Sequence, residues 1–588
     1  MNNTILTLFI LACAALAVFA GEASAKDYNV LDYGAKGDNL TDCTAAIQKA
    51  IDECYDNRGG NVVFPTGEYV CRGSLEVKDG VMLKGTYVAP PTNDLSNKPD
   101  AAGNMKGSVI AAYAGKNDPD GTAFITLTGN NSGVQGLIIH YPEWSQKTVP
   151  PIPYSPCIAG YEGSNHSVIN CNLLNPYVGI LFRGPDRMTI SGVYGYPIKT
   201  GIVIDQCYDI CRIENCHFWP FNVTYTADDP YCKWINLNGT AFEFARTDWQ
   251  YCSNCFCFGY GAGYRFTNRG SGACNGNFSG IGADSCTNSV LIEQIQPMGL
   301  AITNGEFVGR WNSADACPVD IRGGVTGKVS LMNCAFWGPI NTCVRSDSDG
   351  ARLSVIGCTF ESWDALGTSA AAITLNKGIG IINGNTFAEK PTHIEIGAGA
   401  GAAVITANWS PNPLTVKNGI GDSCEISANI PKPRKLKDED FKNYSLKLNG
   451  VNDESFVDGF IYSEPTNGGM RWSSSGANLE LRGTPGADYT VTFNIMSDSN
   501  ALMEGAGIYV DGKNLMPITQ AGMLTLSNKV TMPSSGRIKF DVKVKNWSPN
   551  ALNPAEPDKR ILGVGIMEVR MISDPGAPVF NLNSMKNE

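Results

Sequence analysis

Histidine is scarce in this chain, with four among 588 residues: His140, His166, His217 and His393. Imidazole is therefore a minor source of general bases and metal ligands, and acid–base chemistry falls to carboxylates. Charge is also thin, at 17% of residues, with a net charge of −11. An acidic chain with no long basic run lacks the footprint of a nucleic-acid binder. A polyanionic substrate stays open, because a local basic cleft can sit in an acidic protein. Beyond the N-terminus no apolar run is long enough to span a bilayer.

The one apolar run reads as a secretory signal. Ile5 to Ala20 is almost wholly apolar, and Ala23-Ser24-Ala25 fits the small-residue cleavage pattern. The preceding Met1-Asn2-Asn3-Thr4 lacks Lys and Arg. A lipoprotein cut before Cys13 is the alternative. The expected location is secreted or periplasmic.

What the chain does have is glycine, 65 residues, and a recurring phrase. Alternating apolar residues lead into Asn or Gly, a small residue, any residue, and Phe. It reads Arg212-Ile213-Glu214-Asn215-Cys216-His217-Phe218. It returns as Asn304-Gly305-Glu306-Phe307, Asn333-Cys334-Ala335-Phe336, Gly357-Cys358-Thr359-Phe360 and Gly384-Asn385-Thr386-Phe387. A looser copy is Asn170-Cys171-Asn172-Leu173. The Phe residues are 89, 29, 24 and 27 apart, the first gap being close to four units of about 22. That period predicts a stacked β-solenoid. At about 24 residues per coil, residues 74–428 allow about 14 coils.

Cys171, Cys216, Cys334 and Cys358 share one place in the phrase. An internal ladder of free thiols is thus the alternative to the disulfides that an exported chain suggests. Cys252-x-x-Cys255-x-Cys257 has no matching second pair with His nearby, so no metal site is expected, and no cofactor.

Near the N-terminus, Thr44 to Cys54 predicts an amphipathic helix with Ala46, Ile47, Ala50, Ile51 and Cys54 on one face. Thr41 or Asp42 can cap it. Asn61 to Val70 predicts a strand, a Pro-Thr-Gly turn and a strand. The entry "YNVLDYGAKGD", the helix "TDCTAAIQKAID" and the pair "GGNVVFPTGEY" resemble the N-terminal signature of the pectate-lyase-like superfamily, in its rhamnogalacturonase/epimerase-like branch. Cys43 replaces the second of two adjacent Asp residues usual there. The resemblance implies a right-handed parallel β-helix with a helix over its N-terminal end. It is specific for the fold and not for the reaction.

The composition turns basic and Pro-marked at Pro431 to Lys437. Alternating strands follow, with Asp511-Gly512 as a hairpin turn. The predicted organisation is signal 1–25, β-helix 26–430, linker 431–445 and a β-sandwich 446–588. The last either binds carbohydrate or serves packing and assembly.

Regularity lapses at 141–156, where five prolines crowd, and at 219–263. Such loops carry function on a regular scaffold. Asp248 lies among Arg246, Trp249 and Tyr251, and Glu143 lies beside Trp144. Aromatics that stack on sugar faces beside a tunable carboxylate suit a sugar cleft. Structural ion pairing is the plainer reading of Arg246 and Asp248. Glu143 and Asp248 are expected on one cleft as an acid–base couple. Asp205, Asp284 and Glu306 each adjoin a short apolar run, and project at one edge of the helix or serve as turn residues. Glu293 is weaker.

A glycosidase would use two such carboxylates. A lyase would use Arg or Lys as base, with Lys199 and Arg246 as candidates, often with Ca²⁺; no Asp cluster here is rich enough to hold one. The superfamily's pectin hydrolases carry Asn-Thr-Asp, Asp-Asp, Gly-His-Gly and Arg-Ile-Lys runs. Only an Asp pair occurs, Asp228-Asp229, and its irregular surroundings suit a loop. The leading expectation is a glycoside hydrolase acting on a polysaccharide, then a lyase or epimerase, then a non-catalytic surface protein. Oligomeric state stays open.

Overall fold

The computed structural model describes residues 26–87, 105–311, 315–431, 437–450, 452–464, 469–554 and 560–584. The expected signal, Met1 to Ala25, lies outside the described residues, as do positions 432–436 of the expected linker. The chain divides into two compact units, Met1–Tyr251 and Cys252–Glu588.

In the first unit, short strands pair in parallel so that like residue sits over like. Ile125, Ile158, Ile180, Ile202 and Phe242 form one such row. Each is fully buried. Val134, Val168, Ile190 and Ile213 form a second. Repeated parallel rows of this kind make a parallel β-helix.

The helix spans Thr44–Asp56 and buries Ile47, Ala50, Ile51 and Cys54. Its N-cap position is Cys43, which makes no side-chain cap bond. Asp42 Oδ1 instead accepts from the Thr44 N–H at 3.1 Å and the Thr44 hydroxyl at 2.7 Å. Gln48 exchanges two hydrogen bonds with the backbone of Glu76, at 3.1 and 2.9 Å, which docks the helix on a coil strand.

The expected interruption at 219–263 is shorter than its composition suggests. Thr240–Phe244 is an ordinary coil strand. The irregular part holds the helix Pro230–Asn238. Asp229 caps it by accepting from Tyr231 and Cys232 N–H, both at 3.0 Å. Asp228 pairs with Lys233 at 3.1 Å, so the Asp pair serves a helix start.

In the second unit the recurring Phe is an interior ladder. Ala283, Phe307, Phe336, Phe360 and Phe387 lie in register. The Phe336–Phe360 rings stack at 4.9 Å and the Phe360–Phe387 rings at 4.8 Å. The Asn or Gly of the phrase turns the corner. Asn304, Asn333, Gly357 and Gly384 have φ of 55°, 54°, 65° and 67°. Asn and Gly tolerate that left-handed conformation best. In the sheet that carries the Phe ladder, only two short strands, Phe256–Phe258 and Gly282–Asp284, fall between the phrases ending at Phe218 and Phe307. The 89-residue gap is therefore three repeats swollen by the helical insertion, not four.

The small residue before Phe forms a second inner column. Cys334 N–H donates to Cys358 Sγ at 3.4 Å, and Cys358 N–H to Asn385 Oδ1 at 2.8 Å. Asn385, Asn408 and Asn429 continue it as an amide ladder at 2.9 Å. All 19 described cysteines are buried and outside any disulfide.

From Asn443 the strands turn antiparallel. Asp488–Ser497 buries every second residue. Asp511 and Gly512, with φ of 47° and 77°, join Gly507–Val510 to Lys513–Pro517 as a hairpin. Tyr444, Leu479, Phe493, Phe540 and Val569 belong to one core. Among the described residues no helix is long and apolar enough to cross a membrane.

Candidate active site

Most of the residues singled out in the first unit are held by partners. Glu143 Oε1 takes the Lys116 ammonium at 2.8 Å, and Oε2 the Tyr154 hydroxyl at 3.4 Å. The Trp144 indole N–H donates to the Tyr231 hydroxyl at 2.8 Å. Gln146 and Thr224 exchange bonds at 2.8 and 3.0 Å. The two irregular loops are thus pinned together around a groove of about 830 Å³.

Asp248 takes the Arg246 guanidinium in a two-pronged pair at 2.8 and 2.9 Å. Arg246 also lies over the Tyr208 ring at 5.2 Å. Trp249 and Tyr251 are exposed. Asp205 is buried, with Arg183 Nε at 3.4 Å and the Arg246 N–H at 3.2 Å. Lys199 donates to the Asn238 carbonyl at 2.8 Å and lies 5.8 Å from the Trp234 ring centre. Glu143 and Asp248, expected as a couple, are each in a separate ion pair.

Asp284 and Glu306 are different. Both sit on the strands of the Phe ladder, at outward positions flanking the inward Ala283 and Phe307. Gly282 pairs with Glu306, so Asp284 lies one coil over and two residues along. Strand spacing then puts the two Cα atoms about 8 Å apart. Asp205 ends a strand of a different sheet, so the three do not share one edge.

Each of these carboxylates holds an indole. Trp311 Nε1 donates to Asp284 Oδ1 at 3.2 Å, and Trp337 Nε1 to Glu306 Oε1 at 2.9 Å. The two Trp rings meet edge to face at 6.2 Å. They remain 58% and 36% exposed, an unusual cost for large apolar groups. Burial raises the Asp284 carboxyl above its ordinary range, and the Glu306 charge adds to this; the Trp311 indole and the Ser285 N–H oppose it. Asp284, Glu306, Trp337, Asn254, Phe256 and Asn304 line a groove of about 400 Å³.

Trp311 and Trp337 were not legible as site residues. A signal for Trp337 existed: it follows the inward Phe336, so it must point outward. Trp311 lies in a loop that no periodicity marks. Cys252, Cys255 and Cys257 are buried, and no cluster of three metal-ligating side chains occurs among the described residues.

Residues 28–175 match the family model for rhamnogalacturonase A/epimerase, pectate lyase-like. Over that stretch, a quarter of the chain, the sequence is similar to the pectate-lyase-like superfamily. Mannuronan C5-epimerase AlgE4 of Azotobacter vinelandii is 37% identical over 119 residues, which is 19% of this chain and 21% of that protein. Alginate lyase 7 of the same organism is 34% identical over 119 residues, 19% of this chain and 14% of that protein. The chain thus spans only about a fifth or less of these relatives' length. The solved AlgE4 A-module aligns with TM-score 0.39 and 17% identity over 68% of this chain and 100% of that one. Asp284 and Glu306 lie beyond the stretch that the family model matches.

Proposed function

We propose that this β-helix protein is an exported enzyme that hydrolyses a glycosidic bond in a polysaccharide, with Asp284 as general acid and Glu306 as the partner carboxylate. The observation that carries the reading is the inequality of the two acids. Asp284 is half-buried and pushed toward its protonated form, while Glu306 is exposed. Two nearby carboxylates whose environments push their pKa values apart divide acid and base roles. Trp311 donates to Oδ1 of Asp284, and the protonated carboxyl keeps one O–H to give. That proton goes to the leaving glycosidic oxygen. Glu306 either activates water or attacks the anomeric carbon, according to the separation of the carboxyl groups. The exposed Trp faces supply stacking surfaces for sugar rings.

A lyase or epimerase is the second reading, favoured by the epimerases and the alginate lyase among the relatives. Its expected bases, Lys199 and Arg246, are engaged by the Asn238 carbonyl and by Asp248. Product analysis on a polysaccharide panel separates the readings. Hydrolysis yields reducing ends only; elimination adds an unsaturated, ultraviolet-absorbing end. Asp284→Asn and Glu306→Gln each cut hydrolysis by about 10²- to 10⁴-fold. Undiminished turnover in both variants would sink the assignment.

A further inference from the structure

The groove at Asp284 and Glu306 is acidic and aromatic. No Lys or Arg is among the residues that line it. Arg310, next to Trp311 in the chain, donates from Nη1 to the Thr287 hydroxyl at 3.1 Å and is not among the residues that line the groove. Three arginines elsewhere in the second unit are engaged by its own acids. Arg265 pairs with Glu293 at 2.9 Å, Arg322 with Asp320 at 3.2 Å, and Arg345 with Asp320 at 3.0 Å and Asp347 at 3.3 Å. A sugar carboxylate would meet two protein carboxylates here and no matching cation.

We infer that the sugar bound at this groove is non-anionic, a neutral or amino sugar without carboxylate or sulfate. The inference rests on the reading of this groove as the active site and names its substrate class. Three features favour it. The indole faces of Trp311 and Trp337 stack on sugar C–H surfaces whatever the charge. The amides of Asn254 and Asn304, in the lining, can hydrogen-bond hydroxyls. A uronate would place a like charge beside Glu306, with no cation among the lining residues to offset the repulsion. It would also raise the cost of ionising Asp284, on which the Glu306 charge already bears. An amino sugar would meet the opposite: its ammonium would be drawn to the same carboxylates.

The test is tryptophan fluorescence of the full chain titrated with polymers matched in ring stereochemistry. Galactan is set against polygalacturonate and mannan against polymannuronate, with chitosan oligomers alongside. The inference predicts quenching by at least one neutral or amino polymer, and loss of that response in the Trp311→Phe, Trp337→Phe double variant. The matched uronate binds at least about tenfold more weakly. Uronate binding as tight as that of its neutral partner overturns the inference, and so does the absence of any Trp311- or Trp337-dependent response to the non-anionic polymers. The two readings fail separately. A uronate polymer bound tightly and cleaved through Asp284 retires the substrate class and leaves the enzyme. A neutral polymer bound at the two Trp residues, but turned over unchanged by Asp284→Asn, retires the catalytic roles and leaves the substrate class.

Discussion

At the residue scale, environment separates the candidate carboxylates more than identity does. Asp205, Glu143 and Asp248 each face a cation, whereas Asp284 faces burial, an indole and another carboxylate. The sign of the resulting pH dependence follows. Asp284 in the folded chain keeps its proton to a higher pH than in the unfolded chain. The folded state therefore binds more protons between the ordinary carboxylate value and the raised one. Stability falls as pH rises through that window, and the acid role is lost over the same interval. Asp284→Asn should flatten that part of the stability profile in pH-dependent denaturation. Glu306→Gln removes the repulsion, so the Asp284 carboxyl, followed by carbon NMR, should titrate at lower pH than in the parent. An unmoved or raised titration contradicts the coupling.

At the element scale, the recurring phrase is three positions with three physical jobs: a left-handed corner, a small inner side chain and a stacked Phe. Each makes a different prediction. Phe336→Ala opens a cavity between two stacked rings and should cost about 3–5 kcal/mol. Asn333→Gly keeps the corner and should cost little. At Gly357 an added Cβ would meet Asn333 Oδ1 at 2.7 Å, with φ already at 65°. Gly357→Ala should therefore be clearly more destabilising than Asn333→Gly in chemical denaturation; the reverse order would contradict the corner assignment. The coil was legible because register repeats one chemistry at one place. Its length was less so. The insertion around Pro230–Asn238 mimicked an extra repeat, and its Asp-Pro helix start read as a loop. The Asp284 and Glu306 pairing was half-legible: both were candidates, but only the register of adjacent coils shows that they meet.

At the scale of the whole molecule, the chain stacks parallel coils whose interior takes thiols and amides as readily as aromatics. Twenty cysteines in an acidic chain with an export-like N-terminus suggest a disulfide framework, yet the 19 described thiols are buried and unbridged. Burial raises most of them, Cys54 to about 11 for example, which suppresses the reactive thiolate. Native protein should thus give almost no reaction with a thiol reagent near neutral pH, and denatured protein should give the full count without reductant. A reductant that lowers the melting temperature would contradict this.

The central claim is that Asp284 and Glu306 cleave a glycan by acid–base chemistry between two exposed Trp residues. The most direct measurement is product release from the cognate polysaccharide by the parent chain, Asp284→Asn and Glu306→Gln. It is read both as reducing ends and as ultraviolet absorbance, with folding checked by circular dichroism. The account predicts reducing ends without absorbance from the parent, and losses of about 10²- to 10⁴-fold in two folded variants. Unsaturated products, or full turnover in either folded variant, would contradict it.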